Sequence, residues 1–201
     1  MSTKTEKKMS KVKSYTDKEL LARVRFMPSF KEIPKDYWIL GVQSSEDTFD
    51  DFDDKFYLFK GEEFIMVTDG TTNAGKEGLM NYTKYNKDGV AVIKTNEWFY
   101  NLWSFGLHKG KMQALRQVNN IKYFRDADKD HKAEQSGIMH TGIIYANFHT
   151  VSYEKKVGYV GKVIGGWSVA CQVINSVEDY YKIIELTRKQ KFVSYCLLAE
   201  F

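Results

Sequence analysis

The chain has 201 residues, 43% of them hydrophobic, and a formal net charge of +4; that length holds one well-packed domain and leaves no room for two of ordinary size. The positive excess lies wholly in residues 1 to 13, where Lys4, Lys7, Lys8, Lys11 and Lys13 face a single acid, Glu6, so the remainder is charge-balanced and no specific nucleic-acid-binding face is expected. No apolar run near the start reads as a secretory signal, no segment approaches the roughly 20 apolar residues of a membrane span, and two cysteines, Cys171 and Cys196, do not make a disulfide framework.

Residues 1–14 read as a solvated, disordered basic tail. Residues 15–36 read as an N-terminal helix and linker: Thr16 and Glu19 form a capping box ahead of Leu20, Leu21 and Val24, and Pro28 ends the helix. Residues 37–201 then form the main domain. Its 13 Tyr, 13 Phe and 4 Trp against 2 Pro point to a β-rich α+β class, because aromatic side chains fit pleated, half-buried surfaces. Tyr37 to Val42 reads as a buried strand with Lys55 to Lys60 as its hairpin partner. Asp50, Asp51, Asp53 and Asp54 between them read as solvated loop charges with one or two structural roles rather than a cation site. Glu63 to Thr68 is a third strand, followed by a turn-rich loop, Asp69 to Gly75, whose hydroxyls and amides are candidates to meet a peptide substrate. Gly89 to Lys94 is a further strand, and the aromatic run Trp98 to Leu107 faces either core or cleft.

Arg125 to Asp130 carries acids at alternate positions like the opening of a calcium loop, but His131 stands where an EF-hand needs glycine and Gly137 where it needs glutamate. The EF-hand is rejected. Asn175, Ser176 and Asp179 form a second capping pattern ahead of the stripe Val177, Tyr180, Tyr181 and Ile184, an amphipathic helix. Phe192 to Leu198 closes the chain as a strand, with Cys196 in its core.

The stretch Gly165 to Ile174 carries the chemistry. Two glycines, a serine and an alanine stand within six positions of Cys171, which leaves backbone N–H groups uncovered for an oxyanion, and His149 on a preceding strand-like segment is a candidate base. On this reading Cys171 is a partly exposed thiol of lowered pKa. His140 and His149 are separated by an odd number of residues, so one continuous strand would turn them to opposite faces. A zinc reading, a metal-dependent amidase using His140, His149 and Cys171, is the minor one: no histidine pair has helical i, i+4 spacing and no Cys-x-x-Cys is present. No metal and no cofactor are expected.

Asn147-Phe148-His149-Thr150 followed by Gly166-Trp167-Ser168-Val169-Ala170-Cys171 resembles the signature of the L,D-transpeptidase catalytic domain, closest to a phage-associated variant with Trp-Ser-x-Gly-Cys-Gln. Looser similarity runs through Arg125-Asp126, Gly106-Leu107-His108-Lys109-Gly110 and Thr71 to Gly75. The resemblance implies an L,D-transpeptidase-like β-sandwich or barrel with peripheral helices, acting on peptidoglycan stem peptides by hydrolysis or cross-linking. It implies Cys171 as nucleophile and His149 as base, with Ser168, Ala170, Gln172, Thr150, Arg125 and His140 as weaker oxyanion or substrate candidates. Two positions depart from the pattern: Val169 replaces a histidine and Ala170 a glycine. The implied setting is a phage endolysin, in host cytoplasm until lysis, or a virion-associated wall-penetration protein. The alternative is a catalytically inactive virion structural or scaffolding protein on the same fold, with other virion proteins as partners.

Overall fold

A computed structural model describes residues 12–201. Its frame is eight strands closed into a barrel: β1 (Tyr37–Gln43), β2 (Asp54–Lys60), β3 (Glu63–Thr71), β5 (Glu97–His108), β6 (Met112–Gln117), β9 (Phe148–Thr150), β10 (Gln172–Ile174) and β11 (Val193–Ala199), in the order β1-β11-β5-β6-β9-β10-β3-β2. The β1·β11 and β9·β10 pairs are parallel and the others antiparallel, so the sheet is mixed. A separate antiparallel sheet orders β4 (Val90–Ile93), β7 (Ile121–Asp126) and β8 (His140–Gly142) as β4-β7-β8. Helices are short: α1 (Asp17–Arg25), α2 (Lys76–Met80) and α3 (Val177–Thr187). The chain is thus β-rich with a few helices, and no described helix is long and apolar enough to cross a membrane.

The unbroken apolar runs of β1, β2 and β11 follow from burial on both faces. Ile39, Phe56, Leu58, Tyr195 and Leu197 enter the main core, while their alternate neighbours Trp38, Leu40, Tyr57, Phe59, Cys196 and Leu198 enter a second core. That second core is closed by Leu20, Leu21 and Val24 of α1, held in place by the expected Thr16–Glu19 capping box. Tyr180 and Ile184 of α3 join the main core, and Tyr180 Oη donates to the Gln113 carbonyl at 2.5 Å, pinning α3 to β6. The aromatic run of β5 is core, with Trp98, Phe99, Leu102 and Trp103 buried.

Two sequence readings need correction. The tail assigned to residues 1–14 falls mostly outside the described residues, but Val12 is 2% exposed and Lys13 N–H donates to Glu200 Oε1 at 2.9 Å, so its end is packed on the barrel. The acidic loop is not solvated either: Asp51, Asp53 and Asp54 are buried because backbone donors from several loops converge on them. Asp54 accepts from Ser44 N–H at 2.7 Å, Thr72 N–H at 2.6 Å and Thr72 Oγ1 at 2.8 Å. Burial, then the neighbouring Asp53, pushes its carboxyl up to about 8. Thr72 and Asn73 are thereby turned inward, with Asn73 Nδ2 on Asp47 Oδ1 at 2.7 Å, and their side chains serve the fold instead of a substrate.

Asp54→Ala should lower unfolding free energy by about 3 kcal/mol or more, since three donors lose their acceptor in a buried place. Removing the exposed cap by Thr16→Ala should cost only about 1 kcal/mol. Urea midpoints of the two variants give the comparison.

Candidate functional site

Three strand ends bring the chemistry together. His108 is the last residue of β5, His149 the centre of β9, and Cys171 directly precedes β10. Parallel pairing sets Gln172 against Phe148 and Val173 against His149, and Gln172 N–H donates to the Asn147 carbonyl at 2.9 Å, so Cys171 is carried to the level of Asn147. The turn leading to it hangs on Asp50, whose Oδ1 accepts from Gly165 N–H at 2.6 Å and Lys76 N–H at 2.8 Å. Gly75 lies so close to this turn that an added Cβ would meet Ile164 Cγ2 at 2.5 Å and the Gly165 carbonyl at 2.6 Å. Ser168 Oγ then donates to the Cys171 carbonyl at 2.8 Å, closing the turn on itself.

One ring nitrogen of His108, one of His149 and Cys171 Sγ lie within 4.8 Å of one another. The two imidazoles stack with centroids 4.2 Å apart. His149 is fully buried, and its Nδ1–H donates to the Thr150 carbonyl at 2.8 Å. That bond fixes the tautomer and leaves Nε2 as a lone pair; Nε2 has no hydrogen-bond partner. On His108, Nδ1 faces Asn147 Nδ2 at 3.2 Å. Asn147 Oδ1 is already held by Gln117 N–H at 2.9 Å, so the amide presents its NH₂ to the ring and the neutral His108 carries its proton on Nε2. Cys171 Sγ–H donates weakly to the Tyr145 carbonyl at 3.6 Å. Tyr145 reaches that place with φ +59, a left-handed backbone that bulky residues rarely adopt.

The resting site is uncharged. Burial, reinforced by the positive charge a protonated His108 would bring, lowers His149 to about 3. Burial, then Lys109 and Arg116, lowers His108 to about 4. Burial pushes the Cys171 thiol up to about 11, against the opposing pull of the Asn147 N–H and Lys109. The expected low-pKa thiol is therefore corrected: the site holds a thiol beside a neutral imidazole, and no helix end compensates, because β10 separates Cys171 from α3.

A cleft of about 460 Å³ opens on Cys171, walled by Ala170, Val169, Tyr145, Tyr123 and Arg125 among others. Among the described residues, neither Ala170 N–H nor Cys171 N–H has an acceptor, which leaves two donors beside the thiol. Arg125 belongs to the cleft, its Nη1 on the Gly89 carbonyl at 3.0 Å and its guanidinium 4.9 Å from the Tyr123 ring centre. The other candidates do not present side chains to it. Ser168 and Gln172 are fully buried, Gln172 spanning Tyr195 Oη and the Thr72 carbonyl. Thr150 gives its hydroxyl to the Ile174 carbonyl and contributes through its own carbonyl. His140 is exposed on β8, stacked on Tyr123, and is separated from the trio because β8 and β9 belong to different sheets; the ligand set His140, His149 and Cys171 is thereby replaced by His108, His149 and Cys171. Asp128, Asp130 and Glu134 gather exposed carboxylates elsewhere. There Asp128 and Asp130 cap the N–H groups of Asp130 and Lys132, which accounts for the alternating acids. Sequence reasoning named His108 only as one of four histidines and within the looser Gly106 to Gly110 likeness, and Asn147 only as the start of the histidine motif; it gave neither a place in the site.

Comparison of the chain with protein-family models, with curated proteins and with solved structures gave no match.

Two pH responses follow. Alkylation of Cys171 by iodoacetamide should rise steadily with pH toward about 11, with no plateau near neutrality; a plateau from acid pH upward would mean a resting ion pair. Stability should respond in the opposite range. His149 and His108 titrate below the unfolded value of 6.5, at about 3 and about 4, so the unfolded chain binds more protons in between. Their contribution is complete above about 6.5 and is lost as pH falls through that window. Asp54, raised to about 8, works in the opposite direction over this range, so the histidine contribution is read as a difference: the urea midpoint of wild type should fall relative to that of His149→Gln between pH 7 and pH 4.

Proposed function

We propose that this protein is a cysteine-dependent acyl-transfer enzyme acting on peptidoglycan stem peptides, L,D-transpeptidase-like in fold and chemistry. The observation that carries this reading is the fully buried, unpartnered Nε2 of His149, its tautomer set by Thr150, next to a thiol at the head of an open cleft. The likeness of Asn147 to Thr150 and Gly166 to Cys171 to that family's signature supplies the substrate class, and a phage-borne lysis or wall-penetration role is the setting it implies.

In this mechanism Cys171 Sγ attacks an amide carbonyl carbon as its proton passes to His149 Nε2. Because thiol and imidazole are both neutral at rest, proton loss and C–S bond formation proceed together, with His149 as general base. The new imidazolium is favoured by the carbonyls of Thr150 and Trp167. The unpaired N–H groups of Ala170 and Cys171 receive the developing oxyanion. The tetrahedral adduct then expels the amine, which takes the proton back from His149, and leaves a thioester. Water or an acceptor amine attacks the thioester, again losing its proton to Nε2, and thiol is restored. Arg125 stands in the cleft as a cation for a substrate carboxylate.

Purified protein should release or exchange stem-peptide fragments from Gram-negative sacculi. Cys171→Ala should abolish this, and His149→Gln should slow it by roughly 10²–10⁴-fold, with melting temperatures reported alongside. Wild type inert on sacculi from several hosts, while remaining folded, would favour the inactive virion component instead.

A further inference from the structure

The geometry points to a second property of the same cluster: His108, His149 and Cys171 form a binding site for one Zn²⁺ ion, and occupation of that site takes the thiol out of service. The regulatory half of this statement rests on the reading of Cys171 as nucleophile; the binding half does not.

Two imidazoles and one thiol from three different strands place donor atoms within 4.8 Å of one another. Tetrahedral zinc with bonds of about 2.0–2.3 Å needs ligand atoms about 3.4–3.7 Å apart, so side-chain shifts of about an ångström close the set. A second observation points to a cation independently: His149 Nε2 is a fully buried lone pair with no donor facing it. Leaving such an acceptor unsatisfied is costly, and burial disfavours a protonated ring there. The Nδ1–H bond to the Thr150 carbonyl is the outer contact that orients a zinc-bound histidine and strengthens its donation.

The three ligands differ in readiness. His149 is fixed. Cys171 must lose its proton, which binding expels to solvent, breaking only the weak contact to Tyr145. His108 is the adjustable member: its Nδ1 lone pair is capped by Asn147. It ligates by displacing that amide, or by moving its ring proton to Nδ1 and turning the amide over. Three protein ligands leave a fourth coordination position unfilled, the pattern of an exchangeable ion, and Cys171 lines the cleft through which an ion would enter. The donor set selects a borderline-soft metal and disfavours Mg²⁺ and Ca²⁺. A thiolate bound to zinc is a poor nucleophile, and His149 Nε2 is no longer a base, so one ion blocks both halves of the proposed chemistry.

The test uses the full chain, stripped with EDTA and dialysed. Zn²⁺ titrated against a chromophoric chelator should bind at one ion per chain, and Co²⁺ in its place should give a near-ultraviolet thiolate-to-metal charge-transfer band. Cys171→Ala should remove that band, and Cys196→Ala should leave it. His108→Ala should weaken Zn²⁺ by at least the roughly 10–100-fold that loss of an outer-shell contact costs. His108→Phe, which keeps a ring against His149, should do the same if the effect is ligation and not folding. Zn²⁺ should also protect Cys171 from iodoacetamide, reversibly with EDTA. Absence of stoichiometric binding, or binding indifferent to both Cys171 and His108, overturns the site. Sacculus cleavage by EDTA-treated wild type that Zn²⁺ fails to slow overturns the lock while the acyl-transfer reading stands. Cleavage that requires Zn²⁺ overturns both the lock and the metal-free mechanism. Stoichiometric binding by a protein inert on sacculi keeps the site and removes the acyl-transfer reading.

Discussion

The hydrogen bond from His149 Nδ1–H to the Thr150 carbonyl sets the terms for everything around it. A fully buried imidazole must stay neutral unless its charge is compensated, and a neutral imidazole has one donor and one acceptor to satisfy. The protein satisfies the donor locally, with the carbonyl of the next residue, and leaves Nε2 without a hydrogen-bond partner. The second imidazole is handled the other way round. His108 accepts at Nδ1 from Asn147, and Asn147 is oriented by Gln117, which in turn receives the N–H groups of Ile144 and Ala146. Two stacked rings thus present opposite hydrogen-bonding character, decided by Thr150, Asn147 and Gln117, which are themselves buried.

That arrangement demands a rigid frame, and the barrel supplies it. β9 and β10 are three residues long each, too short to be stable alone, and are held between β6 and β3 in a closed sheet without free edges. The turn before Cys171 is anchored by Ile164, buried in the main core, and by polar ties to the acidic loop. Asp50 reaches both this turn and the start of α2, and Asp54 ties Ser44 to Thr72. The loop acids are therefore the mortar between strands whose own pairing is short.

Much of the frame was legible in the sequence, for reasons that can be named. Strands β1, β2 and β11 show as apolar runs because both faces are buried, and the capping signals at Thr16 and Ser176 mark two helix starts that the structure reproduces. Short elements were hard to read: β9 showed only as a strand-like segment around His149, and β8 and β10 carry too few residues for a period to appear, their existence depending on partners distant in sequence. The acids at 50 to 54 were misjudged for a related reason. Composition places carboxylates in solvent, whereas the donors that bury them come from Gly165, Lys76, Ser44 and Thr72, positions no local pattern connects. At the site, Cys171 and His149 stood out by their motif. His108 could not, because its proximity to them is created by barrel closure between β5, β6 and β9. Gln172, next to the cysteine, faces inward because successive residues on a strand point to opposite sides, and Ser168, three residues before the cysteine, is turned inward to donate to the Cys171 carbonyl.

The exchange of one histidine for another is the clearest case of topology setting chemistry. Where the resembling signature has a histidine two residues before the cysteine, this chain has Val169, which packs against the small apolar cluster under the three-stranded sheet. An imidazole at that position would sit on the cleft wall and be open to solvent. His108 instead arrives from the barrel side, behind His149, with its ring shielded and its pKa lowered to about 4. His108 stacks on His149 and brings a second nitrogen within 4.8 Å of the thiol. Both rings being neutral, the lone pair of His149 is available across the whole neutral range, and the barrier to using it lies in the thiol. In the acyl transfer we propose, a substrate carbonyl seated against the Ala170 and Cys171 N–H groups would offer the departing electron pair a place to go, and proton transfer would be tied to the arrival of that acyl group rather than to pH.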